Sequence, residues 1–167
     1  MDIRPKKGGF VRSFGCGWFV REFLLGRGPN GSPRIDSSVG APQADVFYYY
    51  KHSLIRAIAL DRATRQEEKQ ARREKRPIDP GRIEQLSEKH LTHIPYKSTG
   101  ARFHSFVVYV SNLQRLGWIE FTGKEERSAF QDHHPSGPAR RYFRLTEAGK
   151  TAPDTAWRNP LRTLYGG

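Results

Sequence analysis

The stretch "LQRLGWIEF", residues 113–121, changes its hydrophobic period from helical to extended at a single glycine. Before Gly117, apolar residues recur at three- and four-residue steps from Phe103 to Leu116, which predicts a helix. After Gly117, large apolar and polar side chains alternate, as they do in a strand. Glycine adopts the left-handed conformation of a helix C-cap at little cost. We therefore predict that a helix ends at Gly117 and that a strand follows at once.

A second strand-like stretch follows the first. Residues 140–145, "RRYFRL", again alternate large apolar and charged side chains, so the two strands are expected to pair as a hairpin. The segment between them is rich in charge, His, Pro and Gly, and it is too long for a two-residue turn. The sequence thus predicts a β-hairpin with a long basic loop.

Two further helices precede the helix that ends at Gly117. The first begins at Asp45 and continues through the charged stretch of residues 61–76, where the apolar stripe disappears. We interpret that stretch as a solvated helical extension, with a nucleic-acid-binding stripe as the alternative. Asp79 and Pro80 form a typical N-cap and first residue of the next helix. The expected core-facing positions of these two helices are Phe47, Tyr50, Leu54, Ile58, Ile83, Leu86, His90 and Leu91.

The order helix, helix, helix, strand, loop, strand predicts an α+β winged helix-turn-helix fold, three helices followed by a hairpin wing. Residues 44–150 are expected to form this domain. Residues 1–43, which contain much of the Gly and Pro, are expected to be an irregular basic N-terminal arm. Residues 151–167 are expected to be a C-terminal tail, because breakers leave no room for a long helix.

The sequences "YVSNLQRLGWIEF" and "GPARRYFRLTEAGK" resemble the DNA-binding domains of bacterial MarR-like and PadR-like winged-helix regulators. The resemblance covers about residues 45–150 and rests on a Leu-x-x-Leu-Gly and a Leu-Thr-x-x-Gly pattern. It implies a transcriptional regulator whose third helix reads duplex DNA while the wing contacts the adjacent backbone. Those families dimerise through long C-terminal helices, which this chain does not match. The matching residues are Leu113, Leu116, Gly117, Trp118, Ile119, Tyr142, Arg144, Leu145, Thr146, Glu147, Ala148 and Gly149.

The charge of the chain favours a polyanionic partner. Its 29 Lys and Arg outnumber 17 Asp and Glu, giving a formal charge of +12 and a pI near 10.2. We expect base and phosphate contacts from the start of the third helix, and phosphate contacts from the wing and from the arm. The candidate nucleic-acid-binding residues are Lys97, Ser98, Thr99, Arg102, His104, Ser105, Lys124, Arg127, Arg140, Arg141, Lys6 and Lys7.

Other classes of function find less support in the sequence. There is no nucleophile elbow, P-loop or paired-carboxylate motif, so we expect no enzyme and no cofactor. The six histidines lack familiar zinc spacing, and the single cysteine, Cys16, excludes an intramolecular disulfide. No membrane segment is expected, and a cytoplasmic location fits this cysteine usage. The main alternative is a non-enzymatic subunit of a larger nucleoprotein assembly, with RNA or protein partners; a homodimer is also left open.

Overall fold

The structure is a computed structural model that describes residues 15–126, 140–160 and 162. The described chain is α+β, as the sequence predicted. It divides into two compact units. Among the described residues, one unit consists of residues 51–101, and the other of residues 15–50 together with those from 102 onward.

The larger unit contains a three-stranded antiparallel sheet in the order β1-β3-β2. Strand β2 pairs with β3 as predicted, with Ile119 opposite Leu145 and Phe121 opposite Phe143, and the register shifts between Phe121 and Glu125. The unit includes α1 (Cys16–Leu24), a 3₁₀ turn (Pro29–Gly31), β1 (Ala41–Pro42), the start of α2 (Gln43–Glu74), α4 (Phe103–Arg115), β2 (Ile119–Glu126), β3 (Arg140–Leu145), α5 (Glu147–Thr151) and α6 (Asp154–Arg158).

The smaller unit contains the rest of α2, then α3 (Pro80–Leu91) and a 3₁₀ turn (Tyr96–Thr99). Asp79 caps α3 as predicted, since its side chain accepts a hydrogen bond of 3.0 Å from the Gly81 N–H. The predicted core-facing residues of α3 are half-buried rather than fully buried. Among the described residues, no helix has the length and apolar character needed to cross a bilayer.

The turn between α4 and β2 explains the glycine at position 117. Gly117 has a φ of 76°, as expected for a left-handed residue just beyond a helix. The Trp118 N–H donates to the Leu113 carbonyl at 3.1 Å, and the Gly117 N–H donates to the Gln114 carbonyl at 2.9 Å. These two bonds form a Schellman motif, which ends α4 and turns the chain directly into β2.

The Leu-Thr-x-x-Gly sequence, residues 145–149, holds the end of β3 against that turn by hydrogen bonds. Thr146 is the N-cap of α5, and its hydroxyl accepts the Gly149 N–H at 3.1 Å and donates to the Gly117 carbonyl at 2.5 Å. The Thr146 N–H donates to the Trp118 carbonyl at 2.9 Å. The backbones approach so closely that a Cβ on Gly149 would lie 2.1 Å from the Trp118 oxygen. The two sequence patterns are therefore the two halves of one joint.

The N-terminal segment differs from the irregular arm that the sequence predicted. Residues 16–24 form helix α1, and its Phe19, Val20, Phe23 and Leu24 are buried. Gly17 allows α1 to approach α6, because a Cβ there would lie 2.1 Å from the Trp157 carbonyl oxygen. The flanking Gly and Pro residues predict irregular structure around so short an apolar run, whereas burial against the rest of the unit stabilises the helix.

The segment after residue 150 is likewise not the tail that the sequence predicted. In the described part, Trp157 of α6 is 1% exposed, and its ring centroid lies 4.7 Å from that of Trp118. The Trp157 indole donates a 2.9 Å hydrogen bond to the Gly149 carbonyl. A five-residue helix is thus held by one large buried side chain rather than by its own hydrogen bonds.

Helix α2 confirms the predicted extension and corrects its character. Tyr50, Leu54 and Ile58 are buried as expected, and the helix continues to Glu74. The charged half also has a buried stripe at i, i+4 spacing, which the hydrophobic pattern missed because it is made of small residues and one acid. Its members are Ala59, Ala63, Glu67 and Ala71.

Candidate nucleic-acid interface

Helix α4 packs into its unit through one side. Phe106, Val110 and Leu113 are buried, and the Phe106 ring lies 5.2 Å from that of Phe47 on α2. An α-helix turns about 100° per residue, so Val108 lies on the opposite side, where its side chain is 49% exposed. We call this side the α4 outer face; it consists of His104, Ser105, Val108, Ser111, Asn112 and Arg115.

The α4 outer face has a chemistry suited to the edges of bases. Helix α4 contains no Asp or Glu, so a nearby phosphate meets no repulsion from the helix itself. Serine hydroxyls and an asparagine amide donate and accept hydrogen bonds, whereas Val108 offers an apolar contact of the kind a thymine methyl group makes. Arg115 at the C-terminal end adds a cation. His104 and Ser105 belong to the predicted set; Val108, Ser111, Asn112 and Arg115 are new.

These four residues were not among the sequence-based candidates: Ser111, Asn112 and Arg115 lie far from the start of the helix, where base contacts were expected, and Val108 is apolar. Lys97, Ser98 and Thr99 were expected at the start of that helix, whereas α4 begins at Phe103 with Arg102 at the N-cap. Gly100, with a φ of 69°, ends the preceding 3₁₀ turn in a left-handed conformation and separates the two elements. The outer face follows from the helical period once the buried side, Phe106, Val110 and Leu113, is known.

The predicted start-of-helix residues are therefore divided between the two units. Lys97, Ser98 and Thr99 belong to the 3₁₀ turn of the smaller unit. Thr99 is only 4% exposed, and its hydroxyl accepts the Ala101 N–H at 3.2 Å, so it serves as a turn residue rather than as an exposed phosphate ligand. Arg102 belongs to the larger unit and is exposed, as are His104 and Ser105.

The predicted cations of the β2–β3 hairpin are arranged in ion pairs. Arg141 pairs with Glu125 at 3.2 Å across the strands, and Arg140 pairs with Asp45 of α2. Lys124 lies 3.8 Å from Glu126 and 4.3 Å from the centre of the Tyr142 ring. Exposed ion pairs of this kind contribute little free energy, so these cations could bind phosphates instead. The neighbouring acids nevertheless reduce the positive charge of the described hairpin. Arg127, Lys6 and Lys7 lie outside the described residues.

One hydrogen bond of the hairpin affects a pKa. The Tyr142 hydroxyl donates to the Glu126 carboxylate at 2.5 Å. This bond, together with burial and the negative charge of Glu126, raises the pKa of Tyr142 to about 12. Ionising the phenol removes the donor and sets two negative charges side by side, so the folded hairpin favours the protonated form up to that pH.

We expect the Glu126→Gln substitution to return the pKa of Tyr142 toward its ordinary value of 10.0. The measurement is an ultraviolet titration of the phenolate, with the signal of Tyr142 isolated by subtracting the curve of the Tyr142→Phe variant. Glu125→Gln is the matched control, since Glu125 pairs with Arg141 instead, and it should leave the titration in place. A Tyr142 signal that titrates alike with and without Glu126 would contradict this arrangement.

The described residues contain no group of three or more His, Cys, Asp or Glu side chains able to hold a metal ion. Comparison of the chain with protein-family models, with curated proteins and with solved structures gives no significant match.

Proposed function

We propose that the larger unit is a winged helix that binds duplex DNA, as a transcriptional regulator does. When residues 51–101 are set aside, the larger unit contains, in chain order, α1, β1, the start of α2, α4, β2 and β3. These are three helices followed by a hairpin, as in the predicted fold, together with a short strand β1 that pairs with β3. Residues 51–101 are then an insertion between the second helix and the recognition helix. This assignment replaces the sequence-based one, in which α2, α3 and α4 were the three helices.

The observation that carries the proposal is the acid-free outer face of α4. A helix enters the major groove with one exposed side, and that side must offer donors, acceptors and an apolar group of small size. Asn112 and Arg115 are residue types that bind adenine and guanine in a bidentate manner, and Val108 is suited to a thymine methyl group. The net charge of +12 supplies the long-range attraction.

The test is site selection on random duplex DNA, followed by affinity measurements on the selected site and on a scrambled one. Asn112→Ala is expected to reduce discrimination between them by about 1–3 kcal/mol, the usual value of one bidentate base contact. Gln114→Ala is the matched control, an exposed amide on the same helix but away from Val108.

Loss of discrimination in both variants, or in neither, would reject the α4 outer face as the reading surface. The same titrations address the alternative of a nucleoprotein subunit. Its support is the exposure of three large aromatic side chains in the larger unit, Tyr48 at 51%, Phe103 at 44% and Phe121 at 40%, which suits a protein partner. A monomer that selects no site would favour that alternative.

A further inference from the structure

The outward side of the charged half of α2 is a row of cations. Its residues stand on the side opposite the buried Glu67, and all of them are exposed. They recur at three- and four-residue steps, so they form one continuous strip along the helix. We call this strip the basic ridge; it consists of Arg62, Arg65, Lys69, Arg72 and Arg73.

Two acids of the charged half of α2, Glu67 and Glu74, form ion pairs on the side of the helix away from the basic ridge. Glu67 is 0% exposed and is held by Arg76 and Arg82, at 2.6 and 3.3 Å. Glu74 pairs with Arg76 and accepts a 2.6 Å hydrogen bond from Gln70.

The remaining acids offset the ridge only at its edges. Asp61 pairs with Arg65 at 3.1 Å, and Glu68 is half-buried. Within the described part of the chain, Arg65 is the one ridge residue with an ion pair. A stretch that looks mixed in sequence therefore presents a strongly cationic surface.

We propose that the basic ridge binds the phosphate backbone of duplex DNA without regard to sequence. A helix rises about 1.5 Å per residue, so Arg62 and Arg73 stand about 16 Å apart on a straight rod. A duplex carries one phosphate charge per about 1.7 Å of its axis, so a straight row of cations of this length meets several phosphates at once.

The composition of the ridge favours a duplex over a single strand. Proteins that bind single strands stack bases on aromatic side chains, and residues 61–76 contain no aromatic residue. Guanidinium and ammonium groups on a rigid helix are instead the usual contacts to a duplex backbone. This proposal does not depend on base reading by α4.

The test is the salt dependence of binding to random duplex DNA by the full chain. Lys69→Gln/Arg73→Gln removes two ridge cations, and it should lower the magnitude of the slope of log K against log salt by about 2, since each phosphate contact contributes about 0.9. Arg56→Gln/Lys89→Gln is the matched control, because it removes the same charge from exposed sites of the same unit outside the ridge.

An unchanged slope in the ridge variant, or an equal loss in the control variant, would overturn the proposal. A larger loss on duplex RNA or on single-stranded DNA than on duplex DNA would also overturn it. Chemical acetylation of the unaltered protein gives a second readout: bound duplex DNA should protect Lys69 and leave Lys89 reactive. Equal reactivity of the two lysines would count against the ridge even if the variants failed to fold.

The two DNA-binding proposals fail separately. The ridge variant should keep the discrimination between selected and scrambled sites, whereas Asn112→Ala should keep the salt slope on random DNA. If the ridge variant lowers the salt slope but Asn112→Ala leaves site discrimination unchanged, the basic ridge is supported and the α4 outer face is rejected as the reading surface.

Discussion

The Gly149→Ala variant should unfold roughly 10 °C below the unaltered protein, because a clash with backbone that cannot move aside costs about 3 kcal/mol. The new Cβ would lie 2.1 Å from the Trp118 carbonyl oxygen and 3.0 Å from its carbon. That carbonyl already accepts the Thr146 N–H, so any shift of Trp118 also opens the joint between α4, β2 and β3. Thermal unfolding followed by circular dichroism measures the effect.

Gly117→Ala is the control for this substitution. Gly117 has a φ of 76°, but a Cβ there would meet no atom within 4 Å. The cost is therefore the conformational one alone, about 1–2 kcal/mol for a left-handed alanine. If the two variants lower the midpoint of thermal unfolding equally, or if Gly117→Ala lowers it more, then close approach of the backbones is not the reason for glycine at position 149.

The second large effect is expected at Glu67 of the smaller unit. Its carboxylate is fully buried and accepts hydrogen bonds from Arg76 at 2.6 and 2.9 Å and from the Asp79 N–H at 2.8 Å. It joins α2 to the residues that begin α3. Glu67→Gln keeps the shape but sets an amide NH₂ group against a guanidinium group, which leaves buried donors without an acceptor.

We expect Glu67→Gln to lower the midpoint of thermal unfolding by on the order of 10 °C, the range for breaking one side of a buried ion pair. Glu68→Gln, at the next position of the same helix, is the control and should change the midpoint by a degree or two at most, as partly exposed charges do. If both variants lower the midpoint of thermal unfolding to a similar extent, then Glu67 does not hold α2 and α3 together.

The same carboxylate should make stability depend on pH. Hydrogen bonds from Arg76 and from the Asp79 backbone, together with the charges of Arg76 and Arg82, lower the pKa of Glu67 from 4.5 to about 2. A lowered pKa in the folded state contributes stability above the unfolded pKa, and that stability is lost as the pH falls from about 4.5 to about 2.

The stability gap between the unaltered protein and Glu67→Gln should therefore be full at neutral pH and should narrow below about pH 4.5. Urea unfolding of both proteins at several pH values measures it. A gap that stays constant down to about pH 3 would contradict the assigned interactions.

The candidate site was only partly predictable, because residue type and spacing do not show which side of a helix is packed. Arg102, His104 and Ser105 are exposed at the start of α4, where the sequence placed them, and their role in binding stays a prediction. Thr99 was misplaced because a hydroxyl beside a glycine fits a helix cap and a 3₁₀ turn equally well. The left-handed φ of Gly100 and the start of α4 at Phe103 show that Thr99 belongs to the turn. Val108 was missed because a valine in a helix reads as core until the packed side is known.

The sequence by itself determined the features that rest on local chemistry. The end of α4 at Gly117, the pairing of β2 with β3, the helical course of residues 61–74 and the cap at Asp79 each follow from residues close together in the chain. Backbone conformation and side-chain period are local properties, so a short window of sequence contains them.

Only the tertiary structure decided what depends on contacts between distant residues. The burial of α1 and of Trp157, and the pairing of Glu67 on α2 with Arg82 on α3, depend on which surfaces meet. The sorting of charges on α2 into a buried acid and an exposed basic ridge has the same origin. An isolated short helix is barely stable in water, and an exposed ion pair contributes little free energy. Packing against the rest of the chain therefore determines which short segments become helical and which face of α2 is exposed.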